Sequence, residues 1–162
     1  MSVVYRYCPA CGSRYHGEQW PRACGCGATV FRNPLPVAVL LVPVDDGLLA
    51  IRRADPPYGG GLALPGGFIE HGEPWRVAAA RETFEECGVR VDAETIEPFG
   101  IESTGGIVLL FGLARPIDGQ ALPAFTPNTE VSERLILRQP KGLVFPLHTA
   151  ACTRYFAEAR RR

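Results

Sequence analysis

The stretch that decides the fold is GFIEHGEPWRVAAARETFEECGV, which covers residues 67–89. Its second part predicts an α-helix over residues 74–87, because proline suits the first position of a helix and Gly88 suits its end. At roughly 100° per residue, three carboxylates share about a third of the helix circumference: Glu82, Glu85 and Glu86. Like charges at these spacings destabilise a helix by about a few tenths of a kcal/mol per pair, so the cluster calls for an explanation.

The apolar side of the same helix predicts its contact with the core. This side carries Val77, Ala80, Phe84 and Cys87 and lies opposite the glutamates. Two interpretations of the acidic side are open. A bare cluster favours a solvated helix surface, whereas oxygen ligands in this number also suit Mg²⁺ or Mn²⁺.

The fixed residues of this stretch follow the spacing Gly67-x5-Glu73-x7-Arg81-Glu82-x2-Glu85-Glu86-x-Gly88. The pattern resembles the signature of the Nudix hydrolases, G-x5-E-x7-R-E-U-x-E-E-x-G-U, in which U is a bulky aliphatic residue. Every fixed polar or glycine position agrees, and the one departure is Thr83 at the first U position. We therefore expect the metal-binding interpretation of the acidic helix to apply.

The resemblance implies an α/β fold, the Nudix α/β/α sandwich with a mixed sheet. It also implies an enzyme, a pyrophosphohydrolase that cleaves the diphosphate linkage between a nucleoside and another moiety X. Mg²⁺ or Mn²⁺ would be held by Glu82, Glu85 and Glu86, together with the carbonyl of Gly66 or Gly67. The signature residues with a structural role would be Gly67, Glu73, Arg81 and Gly88, with the Glu73–Arg81 pair bracing the loop against the helix.

A glutamate from a later loop often completes the metal site of such enzymes. Glu130 resembles that residue most closely, and Glu133 is the second choice. The reaction also needs a general base that takes a proton from water, and Glu85 and Glu130 are both candidates. Arg52 and Arg53 follow a predicted strand and are expected to contact the phosphates or the X group, although one of two adjacent residues must face away.

The sequence outside residues 67–89 predicts strands on both sides of the helix. Apolar runs at residues 36–44 and 47–51, separated by two aspartates, predict a buried hairpin. Further strands are expected at residues 62–64, 96–103, 107–114 and 131–137, with a closing helix after Pro146 that reaches the C-terminal arginines. Because strands and helices mix without strict alternation, we expect a mixed sheet between helices.

Four of the six cysteines crowd into the first 26 residues, as Cys8-Pro-Ala-Cys11 and Cys24-Gly-Cys26. Close cysteine pairs in a short polar segment predict a structural Zn²⁺ site with four thiolate ligands. Two disulfides are the alternative, but they need an oxidising compartment. The second pair is one residue shorter than the usual C-x2-C, so His16 is a further candidate ligand. A boundary near Asn33-Pro34 then predicts a zinc ribbon over residues 1–33 and a Nudix domain over residues 34–162.

A zinc ribbon ahead of a Nudix domain resembles the arrangement of the NADH pyrophosphatases. Those proteins also carry an S-Q-P-W-P-F-P-x-S array after the signature, where this chain reads DAETIEPFGIEST at residues 92–104. The array is absent, which weakens the assignment to NADH itself. The expected substrates are therefore NADH, ADP-ribose or a similar dinucleotide or nucleotide sugar.

Composition narrows the classes of partner. Of 162 residues, 17 are basic and 17 are acidic, which gives no formal net charge and argues against a protein that coats nucleic acid or anionic membranes. No apolar run reaches the roughly 18–20 residues of a membrane span, and the N-terminus does not resemble a signal peptide. We expect a cytoplasmic enzyme with a small nucleotide substrate and no membrane partner, and the resemblance also admits a homodimer.

Two other functions remain open from the sequence. The first is a zinc-ribbon protein that binds nucleic acid or processes RNA ends, although the arginines near the cysteines are sparse. The second is a Nudix module that senses a nucleotide without cleaving it. The complete set of signature glutamates argues against the second, because a module that only binds has no need for them.

Overall fold

A computed structural model of the protein describes residues 6–160. The chain divides into two compact units, Met1–Pro34 and Leu35–Arg162. The first unit contains one small antiparallel sheet, β1 (Arg22–Ala23) and β2 (Thr29–Val30). Ahead of it, a tight turn carries the first cysteine pair, where the N–H of Cys8 donates to the carbonyl of Ser13.

Among the described residues, the second unit holds the remaining strands and two α-helices. The strands are β3 (Leu35–Leu41), β4 (Pro43–Val44), β5 (Gly47–Arg53), β6 (Leu62–Ala63), β7 (Gly66–Phe68), β8 (Glu97–Thr104), β9 (Ile107–Leu113) and β10 (Val131–Leu137). The helices are α1 (Trp75–Cys87) and α2 (Pro146–Ala159). Among residues 6–160, no helix combines the length and apolar character that crossing a membrane requires.

Two sheets form the middle of this unit. One has the order β7-β3-β9-β8, with β3 and β9 parallel and the other neighbours antiparallel. The other has the order β10-β5-β4, with β6 paired to β5, and is antiparallel throughout. The predicted mixed α/β architecture is therefore confirmed.

Strand β3 explains why the helices lie on opposite sides. Successive side chains of a strand point to opposite faces. Ala38 and Leu40 belong to the core that includes Ala78 and Ala79 of α1. Val39 and Leu41 belong to the core that includes Ala151, Cys152 and Phe156 of α2. The sheet is thus covered by one helix on each face, as in an α/β/α sandwich.

The predicted hairpin over residues 36–51 was only partly right. The short strand β4 does pair with β5 around the aspartate turn, but β3 pairs with β7 and β9 instead. The apolar run is buried on both faces, so its pattern does not specify a partner. Residues 66–68, which were expected to follow a strand, themselves form β7 against β3.

The predicted core face of α1 was only partly right: Cys87 is buried and Ala80 packs against the core, but the other two residues of that face are not buried. Val77 and Phe84 are each 42% exposed, and the guanidinium of Arg90 lies 4.2 Å from the centroid of the Phe84 ring. Besides Cys87, the buried residues of the helix are Ala78, Ala79, Thr83 and Glu86. The small side chains of Ala78 and Ala79 let this helix approach the sheet closely. The side that packs against the sheet also includes a glutamate, Glu86.

Candidate active site

The glycines of β7 create the space in which the glutamates of α1 lie. Gly66 and Gly67 pair with Val39 and Ala38 of β3. A Cβ at Gly66 would overlap the carbonyl oxygen of Ala38, and a Cβ at Gly67 would overlap the carboxylate of Glu82. Gly66 therefore needs to be glycine, because any side chain there would meet the backbone of β3, whereas a side chain at Gly67 would push aside the carboxylate of Glu82.

Glu86 is the most buried carboxylate of the group, at 4% exposed. One of its oxygens, Oε2, accepts a hydrogen bond of 2.8 Å from the N–H of Gly66. Burial raises the pKa of Glu86 to about 8, and the negative charges of Glu82 and Glu130 add to this rise. The Gly66 hydrogen bond and the positive charge of Arg53 oppose it. A carboxylate that is this hard to ionise would be stabilised by a cation.

Glu82 lies in the same electrostatic environment. Burial raises its pKa, and the charges of Glu85 and Glu130 act in the same direction, while its contacts with Arg81 oppose them. The negative charge of Glu130, which precedes β10, raises the pKa of both Glu82 and Glu86. The structure therefore brings the late-loop glutamate within electrostatic reach of the helix glutamates.

Arg81 is the centre of the ion pairs around these carboxylates. Its Nε and Nη2 donate to the two oxygens of Glu73 at 2.9 and 3.0 Å, and this pairing holds the pKa of Glu73 below its usual range. Its Nη1 donates to Glu82 at 2.8 Å and to Glu85 at 3.0 Å. A further bond from Nη2 to the carbonyl of Phe68 ties the helix to the end of β7.

The helix ends at the glycine of the signature. Gly88 adopts a left-handed conformation with φ of 70°, and its N–H donates to the carbonyl of Phe84. Pro74 stands just before the helix with an extended ψ of 139°, so it caps α1 rather than occupying its first position. Thr83 is fully buried, and its hydroxyl donates to the carbonyl of Ala79.

The donor atoms of the acidic group suit a hard divalent cation such as Mg²⁺ or Mn²⁺, which prefers carboxylate and carbonyl oxygens. In this arrangement Glu73, Glu82 and Glu85 surround the Arg81 guanidinium, whereas Glu86 accepts a hydrogen bond from Gly66. Within residues 6–160, the cysteines form the one group of three or more ligand residues whose atoms all lie within 4.8 Å of each other.

The two candidate substrate-binding arginines have different surroundings. Arg52 donates to Glu133 at 2.7 Å and to the carbonyl of Gly60 at 2.9 Å, so Glu133 faces an arginine of β5. Arg53 contacts both carboxylate oxygens of Asp55 at 2.8 Å, and its charge reaches Glu86. Its Nε is buried and has no hydrogen-bond partner among residues 6–160.

Sequence reasoning missed two residues that connect α1 to the loop before β10 and to β10 itself. The side chain of Asn128 donates to the carbonyl of Glu85 and accepts from the backbone N–H groups of Glu130 and Val131. The guanidinium of Arg134 donates to the carbonyl of Cys87 at 2.8 Å. Asn128 follows Pro127 and precedes a strand, a context typical of a turn, but nothing in the local sequence indicates a contact with α1.

The four clustered cysteines form a separate candidate metal centre in the first unit. The Sγ atoms of Cys8 and Cys26 are 3.8 Å apart, and those of Cys11 and Cys24 are 3.6 Å apart. A tetrahedral Zn²⁺ with Zn–S bonds of about 2.3 Å requires sulfur separations of about 3.8 Å. The observed distances fit this requirement and far exceed the disulfide bond length of about 2.05 Å.

The thiols of this cluster differ in how readily they ionise. Although burial raises the pKa of Cys8, hydrogen bonds to the backbone of Ala10 and Cys11 outweigh it and lower that pKa to about 6. A thiol with this pKa is ionised at neutral pH, as a zinc ligand must be. A backbone hydrogen bond to Cys26 lowers the pKa of Cys24, but contacts with the neighbouring thiols outweigh it and raise that pKa to about 12, so Cys24 would release its proton on binding a metal. His16 is exposed and is not part of the group of close ligand atoms.

Comparisons with known proteins agree with this geometry. A family model described as the NUDIX domain matches residues 34–144. A MutT-like protein from Streptomyces ambofaciens is 39% identical over 111 residues, which cover 64% of this chain and 70% of that protein. The NAD-capped RNA hydrolase NudC from Edwardsiella ictaluri is 32% identical over 90 residues, which cover 54% of this chain. The matched part is 35% of that relative's length, so this chain spans about a third of it.

The likeness extends to a solved structure over nearly the whole chain. A crystal structure of a NUDIX hydrolase from Nitrosomonas europaea superposes with a TM-score of 0.79 at 26% identity. It covers 96% of this chain and 93% of that one. The match over residues 34–144 covers more than half of the sequence and includes the whole glutamate signature. The chain therefore belongs to the Nudix family of pyrophosphohydrolases.

Proposed function

We propose that this chain is a metal-dependent hydrolase that cleaves the diphosphate linkage of a nucleoside diphosphate joined to a moiety X. The substrates we propose are NADH, ADP-ribose or a similar dinucleotide or nucleotide sugar. The observation that carries the proposal is the buried Glu86, whose pKa is raised to about 8 among other carboxylates on a Nudix helix. Burying such a group is costly unless a cation compensates it.

In this proposal the α1 glutamates Glu82, Glu85 and Glu86 hold Mg²⁺ or Mn²⁺, together with Glu130 and a carbonyl of Gly66 or Gly67. A bound divalent ion neutralises the charge of a diphosphate and lowers the pKa of water. The chain itself supplies the general base, for which Glu85 and Glu130 both remain candidates.

Two arginines have distinct proposed roles at this site. Arg81 holds the signature loop against α1 through its paired contacts with Glu73, so we assign both residues to positioning. Both arginines are paired with a carboxylate, but Arg53 is the better candidate for contact with the diphosphate, because its charge acts on Glu86 and its Nε has no hydrogen-bond partner among residues 6–160. A guanidinium beside the carboxylates provides donors for phosphate oxygens.

The first unit is proposed to be a zinc ribbon over residues 1–33, with Cys8, Cys11, Cys24 and Cys26 as ligands, followed by the hydrolase domain over residues 34–162. The sulfur separations support zinc as the metal. Four unpaired thiols also persist best in a reducing compartment, which supports the cytoplasm as the place of action.

The test is hydrolysis of a substrate panel by the full chain with Mg²⁺ or Mn²⁺. The panel contains NADH, NAD⁺, ADP-ribose, diadenosine polyphosphates, coenzyme A and NAD-capped RNA. Glu86→Gln is the informative variant, because glutamine still accepts the Gly66 hydrogen bond but carries no charge. Glu102→Gln, on the exposed part of β8, is the matched control.

We expect metal-dependent cleavage of at least one member of the panel. Glu86→Gln should lower this activity by more than about 100-fold, while Glu102→Gln leaves it unchanged. If the folded protein binds a panel member but cleaves none, the chain is a nucleotide-binding module and the proposal fails.

RNA-end processing is the second candidate, and one observation favours it: a relative is named an NAD-capped RNA hydrolase. Capped RNA and free NAD⁺ separate the two functions. Preference for the capped RNA, with binding that weakens steeply as salt is raised, would indicate an RNA-end enzyme. Equal or better cleavage of the free dinucleotide would favour a small-molecule hydrolase.

A further inference from the structure

We propose that Asn128 is a positioning residue, which holds Glu130 at a fixed distance from the glutamates of α1. This inference rests on the proposed function, because it concerns the metal site that Glu130 would complete. The observation behind it is that the Asn128 side chain contacts the backbone of Glu130 and also the backbone of Glu85. Asn128 and Glu85 are 43 residues apart in the chain.

The oxygen of the Asn128 amide fixes the loop. It accepts hydrogen bonds from the N–H of Glu130 at 2.9 Å and from the N–H of Val131 at 2.8 Å. The backbone N–H of Asn128 also donates to the carbonyl of Val131 at 2.9 Å and closes the turn. These bonds set the direction in which Glu130 leaves the loop, but by themselves they do not attach the loop to the helix.

The nitrogen of the same amide makes that attachment. The last four carbonyls of a helix have no partners within it, and the carbonyl of Glu85 is one of these at the end of α1. Asn128 Nδ2 donates to it at 3.0 Å. The carbonyl that Asn128 satisfies therefore belongs to a residue whose own carboxylate is a proposed metal ligand.

Within residues 6–160, Glu130 itself makes no hydrogen bond to α1. The carbonyl of Glu130 accepts a bond of 2.7 Å from the N–H of Ala54, which ties the loop to the end of β5 instead. The pairing of β10 with β5 is irregular between Val131 and Glu133. A bulge of this kind loosens the constraint that the sheet places on residues just before it.

Arg134 provides a matched control. It also joins β10 to α1, through its bond to the carbonyl of Cys87, but it makes no contact with Glu130. A variant at Arg134 weakens the same pair of elements and leaves the Asn128 bonds intact. If Asn128 acted only by holding β10 and α1 together, variants at Asn128 and at Arg134 would therefore weaken metal binding alike.

The test measures Mn²⁺ alone binding to the full chain, by the electron paramagnetic resonance signal of the free ion. Asn128→Ser keeps a hydroxyl that can accept within the turn but is too short to reach Glu85. Asn128→Ala loses the turn bonds as well. Both are compared with Arg134→Lys and wild type, and Asn128→Ser is repeated with Glu130→Gln, with melting temperatures recorded throughout.

We expect Asn128→Ser to weaken Mn²⁺ binding about tenfold, since partners of metal ligands contribute effects of this size. Asn128→Ala should weaken it at least as much, and Arg134→Lys by less than about twofold. In the Glu130→Gln background, Asn128→Ser should have little further effect, because the residue that it positions is no longer a ligand.

The outcomes separate the inference from the function on which it rests. If Glu130→Gln weakens Mn²⁺ binding but Asn128→Ser does not, the inference is overturned and the metal site stands. Equal weakening by Asn128→Ser in both backgrounds would mean a purely structural role and would also overturn it. If wild type binds no Mn²⁺, or Glu130→Gln binds it as well as wild type, the proposed site is wrong and the inference falls with it.

Discussion

Acidification should remove the contribution that one buried histidine makes to the free energy of unfolding, and an asparagine at the same position should abolish that part of the pH dependence. His148 of α2 is 5% exposed. Its Nδ1 accepts a hydrogen bond of 3.3 Å from the N–H of Leu64, and its ring packs against Phe111 and Phe145, with centroids 5.8 and 5.0 Å away. The contact with Leu64 requires Nδ1 to carry no proton, so the folded protein holds a neutral imidazole.

The size of the effect follows from two pKa values. Burial, assisted by the positive charge of Arg53, lowers the pKa of His148 from 6.5 to about 4. A lowered pKa means that the unfolded chain binds the proton first, so the contribution to stability is complete above pH 6.5 and is lost as the pH falls towards 4. At about 1.36 kcal/mol per pKa unit, the whole loss is roughly 3 kcal/mol, of which about 2 kcal/mol falls between pH 7.5 and pH 5.

The assay is urea unfolding at these two pH values, followed by far-UV circular dichroism, which reports on α1 and α2. Asparagine can accept the Leu64 bond but does not titrate, so His148→Asn should lose about 2 kcal/mol less than wild type over this range. The smaller side chain also loses packing, but this loss is the same at both pH values and cancels when the changes in the free energy of unfolding are compared. His71→Asn, at an exposed position, is the control and should behave as wild type. Equal pH dependence in wild type and His148→Asn would refute the reasoning.

Two further predictions concern the candidate metal centres. Gly67→Ala should displace the Glu82 carboxylate and lower metal-dependent hydrolysis more than about tenfold; Gly142→Ala, which has open space around it, should retain full activity, and an active Gly67→Ala would contradict the geometry. Metal analysis should find about one zinc per chain. Cys24→Ser should lose this zinc while Cys152→Ala, outside the cluster, retains it; zinc bound equally by both variants would exclude the four-cysteine site.

The parts of the fold that sequence predicted well depend on local signals. Helix α1 ends at Gly88, which has a positive φ, as the sequence indicated. The strands expected at residues 96–103 and 107–114 form the β8–β9 hairpin, which turns at Gly105-Gly106, both also at positive φ. Glycine tolerates a positive φ, so a glycine next to a predicted helix or strand indicates where that element ends. The partners of β3 could not be predicted, because its fully apolar pattern fits the middle of either sheet.

The same distinction applies to the candidate site. The spacing of the signature identified the acidic residues of α1, since a helix brings residues three and four apart together. It did not separate Arg52 from Arg53, whose different surroundings depend on Glu133 and Asp55. Nor did it indicate Asn128, because the carbonyl that this residue contacts belongs to an element formed much earlier in the chain.

The error about the core face of α1 follows from the chemistry that the helix carries. An amphipathic helix normally turns its largest apolar residues inward, yet here Phe84 is exposed and Glu86 is buried. To bring Glu82 and Glu86 against β7, the helix must present that edge to the sheet, and Ala78 and Ala79 make the close approach sterically feasible. The local rule is therefore violated at the residues that the proposed reaction needs, which is where such violations are expected in a functional protein.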